Sequence, residues 1–141
     1  MLIGLRRSLG DLGPSRRSSP LWRRTVRASP GALFHHESLE VYQVALKLIE
    51  WFVARLAGKD PSGRLGRQID EGLTSIILNI AEGNGRYAEL DHRRFLDVAE
   101  SSAVKVAAYL DLAMQRLSLS PTECDPCKEL LRRIVAMLSR M

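Results

Sequence analysis

From Phe34 onward, apolar side chains recur every three or four positions, the spacing that gathers them on one face of a helix turning about 100° per residue. The clearest case centres on Gln68 to Arg86. Leu65, Ile69, Leu73, Ile76, Ile77 and Ile80 fall on one side, and Gln68, Ser75, Asn79 and Glu82 form a narrow polar stripe beside them. The pattern predicts a helix from Gly63 to Glu82, closed by Gly83 in the left-handed conformation open to glycine. Leu78 falls about 180° from Ile69 and is expected to point away from the core.

The same reading yields three more helices. The first runs from Ser38, taken as its N-cap, to Leu56, with Leu39, Tyr42, Ala45, Leu46, Ile49, Phe52, Val53 and Leu56 as its core face. Val41, Val44, Leu48 and Trp51 form a second apolar strip on the other side. A bundle helix needs only one apolar face, so this strip is expected to meet another subunit, the tail or a partner. The third helix, Glu89 to Leu117, carries Phe95, Ala99, Ser102, Ala103, Val106, Leu110, Ala113 and Leu117 on one stripe. The last opens at Pro121 and carries Leu130, Leu131, Ile134, Val135, Leu138 and Met141. Short links and no strand pattern give an all-α, antiparallel up-down-up-down four-helix bundle over residues 34–141.

Composition refines this. At 141 residues, 45% hydrophobic and 26% charged, the chain has the size and make-up of one globular domain. No apolar run approaches the roughly 20 residues that cross a bilayer, so the expectation is a cytoplasmic protein without a membrane partner. The net charge of +5 is unevenly placed. Residues 1–33 hold seven arginines against Asp11, whereas residues 34–141 hold 14 Lys and Arg against 15 Asp and Glu. The high overall pI therefore belongs to the tail. Rich in Arg, Ser, Gly and Pro, residues 1–33 read as a disordered basic extension, dispensable for folding. They also resemble an organellar transit peptide, and Arg6-Arg7 has the look of a twin-arginine signal, but no apolar stretch follows it.

Several short motifs carry less than they suggest. Gly83-x-Gly85-x-x-Ala88 matches a loosened dinucleotide fingerprint, which works only between a strand and a helix; here it follows a helix. Glu89-x-x-His92 has the spacing of a carboxylate di-iron half-site, but the other histidines, His35 and His36, precede the first helix and no second pair exists. His92 is expected at a solvated helix start. Cys124-Asp-Pro-Cys127 has zinc or redox spacing without a second ligand pair, so both thiols are expected to fill space. No catalytic set, metal, cofactor or small-molecule substrate is proposed from spacing. The stripe Gln68, Ser75, Asn79 and Glu82 reads as a hydrogen-bonded seam, with a ligand or partner site as the alternative.

At Gln68-Ile69, Ser75-Ile76, Asn79-Ile80-Ala81-Glu82-Gly83, Gly85-Arg86, Phe95-Leu96 and Val98-Ala99, the chain resembles the bacterial four-helix bundle family also called the 23S rRNA intervening-sequence protein family. Phe34 to Gln43 is similar to the start of that family's first helix, and the likeness spans Phe34 to Met141. It implies a small helical protein assembling as a barrel-like homopentamer. A related protein, the accessory variability determinant of diversity-generating retroelements, binds nucleic acid and a reverse transcriptase. The chain departs from the family pattern at Asp70 and Glu71, commonly basic there, at Gly72-Leu73 in place of Ala-Ala, and at Lys105, where an acid is common. These departures count against carrying a nucleic-acid role over. The leading expectation is a non-enzymatic assembly or binding module whose oligomer contact uses Val41, Val44, Leu48, Trp51 and Leu78. The alternative is a nucleic-acid-binding accessory protein using Arg64, Arg67, Arg86, Arg93 and Arg94 in two patches, one at each end of the second helix.

Overall fold

The computed structural model describes residues 34–60, 63–86 and 88–140. The expected basic extension, residues 1–33, lies outside them. After a 3-10 turn, His35–Ser38, the chain forms α1 (Glu40–Arg55), α2 (Arg64–Asn84), α3 (Glu89–Arg116) and α4 (Pro121–Leu138). α1 packs on α2 and α4, α2 on α3, and α3 on α4, which closes a square of antiparallel neighbours. This is the all-α up-down-up-down bundle that the periodicity predicts.

Local chemistry sets the helix ends. The Asp60 carboxylate accepts from the Leu65 and Gly66 amides at 2.7 and 3.0 Å, satisfying two donors that the first turn of α2 leaves unpaired. α4 opens on a reciprocal box: the Glu123 amide donates to Ser120 Oγ, the Ser120 amide donates to Glu123 Oε1, and Pro121 occupies the first turn. The N-cap of α1 is Leu39, one residue after Ser38, and supplies no side-chain cap, while Ser38 Oγ donates to the His35 carbonyl.

Two expectations about α2 and α1 need correcting. α2 does not stop at a left-handed Gly83. The helix continues to Asn84, and Gly83 is buried within it. A Cβ at Gly83 would lie 3.1 Å from Phe95 Cβ and 3.2 Å from Leu96 Cδ2, and one at Gly72 only 2.5 Å from Val106 Cγ2. These glycines let α2 and α3 approach closely, and Ala99 and Ala103 are fully buried on the α3 side of that contact.

The correction to α1 is larger. Val41, Val44, Leu48 and Trp51, expected to face outward, are buried in the bundle core, Leu48 completely. Leu46 and Val53, expected inside, are exposed, Val53 at 65%, while Tyr42, Ile49 and Phe52 are partly buried. α1 is turned about 100° from the expected setting. Its sequence is apolar over well more than half its circumference, so periodicity alone does not choose the buried side. Contact with α4 does: Trp51 Nε1 donates to the Glu123 carbonyl at 2.8 Å, and Glu40 faces Arg133 at 3.7 Å.

Candidate interaction surfaces

The polar stripe of α2 divides in two. Ser75 Oγ and Ser102 Oγ share a hydrogen bond of 2.8 Å across the α2–α3 seam, and Asn79 Nδ2 donates to the Ser75 carbonyl at 2.8 Å and to Ser75 Oγ at 3.2 Å. Gln68 and Glu82 lie on the exposed side, and Glu82 accepts from Arg86 one helical turn on. The inner pair thus fixes register at a place where glycines bring two helices together. Its polar atoms are engaged with each other.

His92 is buried, 5% exposed, rather than solvated. Its Nδ1 lies 2.9 Å from the Gly83 carbonyl, an acceptor only, so Nδ1 carries the proton and donates. The imidazole thereby adds a second donor to a carbonyl that also accepts from the Arg86 amide at 3.1 Å, and ties the first turn of α3 to the end of α2. Glu89, three residues earlier, points into solvent, so the two do not converge as a metal pair. Cys124 and Cys127 are free and fully buried. Burial, with the neighbouring Cys124, pushes the Cys127 thiol up to about 12, and burial also raises Cys124, so neither is a ready thiolate. Among the described residues, no cluster of three His, Cys, Asp or Glu side chains could hold a metal ion.

The five candidate arginines sit at two ends, as their positions in sequence suggest, but in different states. At the end where α2 finishes, Arg86 pairs with Glu82 at 2.7 Å and lies 4.9 Å over the Phe95 ring. Arg93 bonds Asp97 at 2.8 Å and reaches the Leu138 carbonyl at 3.3 Å, and Arg94 lies 4.0 Å from Asp91. At the opposite end, Arg64 and Arg67 are exposed on the first turn of α2. Arg55 and Arg116, the last residues of α1 and α3, join them there through the antiparallel order of the helices.

Two apolar areas remain open to solvent. One lies on α1 and α2, where Leu46 and Val53 are exposed and Ile49 and Ile77 partly buried; Leu78, on the side of α2 opposite buried Ile69, is 59% exposed, as expected. The other comprises single apolar side chains on the outer side of α3, Leu90 (80% exposed), Val104 and Leu112, with Arg94, Asp97 and Lys105 exposed between them. Sequence reasoning missed these side chains because it followed only the core stripe of α3. The available signal is angular: Leu90, Val104 and Leu112 fall within about 40° of the direction opposite that stripe. No helix among the described residues is long and apolar enough to cross a membrane.

The family model described as 23S rRNA-intervening sequence protein matches residues 37–140. A crystal structure of a protein of unknown function from the S23 ribosomal protein family of Bacteroides thetaiotaomicron superposes with a TM-score of 0.60 at 17% identity, over 70% of this chain and 90% of that one. At that identity the likeness carries the fold alone. No curated protein matches the chain.

Proposed function

The chain belongs to the 23S rRNA-intervening sequence protein family, and from that premise we propose that it is a cytoplasmic, non-enzymatic assembly module that works as a homo-oligomer, with five copies as the assembly size. The observation that carries this reading is the pair of open apolar areas on a bundle whose core is already complete without them. Leu46, Val53, Leu78, Leu90, Val104 and Leu112 are each at least 39% exposed. On this reading the exposed apolar side chains serve as docking points, and burying each fully is worth about 1.5 to 3 kcal/mol before association costs. The test is sedimentation equilibrium at micromolar concentration: the expected mass is a multiple of 15.8 kDa, and a well-behaved monomer overturns the proposal.

A nucleic-acid role is the second reading. It is favoured by one end of the bundle, where Arg55, Arg67 and Arg116 are exposed and stand with Arg64. The other end supports it less, since Arg86, Arg93 and Arg94 already face carboxylates. On this reading the contact is electrostatic and sequence-tolerant, and falls steeply with salt. Submicromolar, salt-steep binding of an oligonucleotide by a chain lacking residues 1–33 would promote it above the assembly reading.

A further inference from the structure

The chain has two asparagines, both on α2, and the fold treats them differently. Asn79 sits inside the helix, followed by buried, β-branched Ile80, and its Nδ2 is held by the carbonyl and the Oγ of Ser75. Asn84 is the last residue of α2 and is followed by exposed Gly85. Its Nδ2 lies 3.2 Å from His35 Nδ1, which accepts because the amide nitrogen only donates, and its Oδ1 has no partner among the described residues. The Gly85 amide donates to the Glu82 carbonyl and the Arg86 amide to the Gly83 carbonyl, each at 3.1 Å. Bonds of this three-residue span close a helix end and open before the rest of it. The backbone does not demand glycine there. Gly85 has φ −85°, which is open to residues with side chains, and a Cβ would meet only the Glu82 carbonyl oxygen, at 3.5 Å.

An asparagine followed by glycine at a helix end has a reaction of its own, because the next backbone nitrogen lies within reach of the side-chain Cγ and glycine presents no Cβ to hinder the approach. We propose that Asn84-Gly85 is a site of spontaneous deamidation in the folded protein, reached by opening the last turn of α2 alone. The Gly85 nitrogen gives up its proton and bonds to Asn84 Cγ, the bond from Cγ to Nδ2 breaks, and Nδ2 leaves with that proton as ammonia. Water then opens the cyclic succinimide at either carbonyl, leaving aspartate or isoaspartate. The conversion consumes water, releases ammonia and involves no oxidant. Its product places a negative charge at the C-terminal end of α2, where the helix dipole disfavours it. It also turns the group that faces His35 from a donor into an acceptor, so the contact between the His35–Ser38 turn and α2 changes polarity.

The full chain is incubated in neutral buffer, folded and in urea, and peptide mapping that separates aspartate from isoaspartate follows Asn79 and Asn84. In the folded chain Asn84 converts and Asn79 stays intact. Gly85→Ala, which fits the observed backbone, loses the conversion at Asn84, and far-UV circular dichroism checks that it stays helical. Leu48→Ala separates local from global opening: Leu48 is fully buried, far along α1 from this end of the bundle, and its truncation raises the unfolded population while the rate at Asn84 stays that of the wild type. Three results overturn the proposal. One is no conversion in the folded chain over a period that converts the unfolded one; another is conversion in Gly85→Ala at the wild-type rate. The third is a rate in Leu48→Ala that rises by the same factor as its unfolded fraction, which would place the reaction in unfolded molecules.

Discussion

The α2–α3 seam and helix α1 differ in how tightly their own residues fix the way each helix is turned. On α2 the apolar stripe is narrow, and the polar and small residues beside it leave one way to turn the helix. Gly72, Ser75 and Gly83 then meet α3, at Val106, at Ser102 and at Phe95 with Leu96, with the serine pair in the middle. On α1 the apolar residues spread too widely for any single setting to be excluded. The setting is chosen by α4, through Trp51 and Glu123, a contact 72 residues away in sequence. Periodicity fixes orientation where polar residues penalise the alternatives; where nothing is penalised, the neighbouring helix decides.

The contrast can be broken hardest at Leu48. Leu48→Ala should cost about 2 to 5 kcal/mol, the range for a fully buried leucine, whereas Leu46→Ala, expected from periodicity to be the worse of the two, should fall within about 1 kcal/mol. Urea titrations of the two variants measure the difference, and a reversed order would restore the orientation read from the pattern.

Next comes Gly72→Ala. The added methyl meets Val106 Cγ2 at 2.5 Å in a fully buried position, and overpacking of this kind costs about 1 to 3 kcal/mol, of which about 1 kcal/mol is offset by the better helix propensity of alanine. The variant should be net destabilised, and Gly72→Ala with Val106→Ala should be more stable than the sum of the single effects. Additivity would mean that the two positions do not touch.

Smaller effects sharpen the same comparison. Trp51→Phe keeps the apolar body and removes the hydrogen bond to Glu123, and Ser102→Ala removes the partner of Ser75. Each should cost on the order of 1 kcal/mol in thermal or urea unfolding. Cys127 adds a pH signature. Its thiol is held neutral up to about 12 in the fold, while an exposed cysteine ionises near 9. Stability from this group is therefore complete below pH 9 and is lost as pH rises toward 12. Cys127→Ala should remove that part of the alkaline decline in the thermal midpoint.

The candidate site divides along the same line as the fold. The register, the helix count and the outward position of Leu78 were legible, because each follows from local spacing. The spacing also marks Leu39, Ala45 and Leu56 as core, where they are buried, and Cys124 and Cys127 are buried with them. The burial of His92 was not legible, since its partner is a backbone carbonyl, and carbonyls leave no mark in a sequence. The pairing of Arg93 with Asp97 lies at the i, i+4 spacing that a helix brings together and was within reach of the sequence. The outward apolar side chains of α3 were within reach of the 100° rule but lay opposite the stripe that the rule was used to find.

Val53 stands on the outside of a finished bundle, where the proposed assembly would use it, while Leu48 is inside. Sedimentation equilibrium of Val53→Glu, run beside its far-UV spectrum, tests this directly. The predicted result is wild-type helicity with the mass reduced to one chain. Loss of helicity would place Val53 in the core, and an unchanged oligomer would remove the α1–α2 area from the assembly.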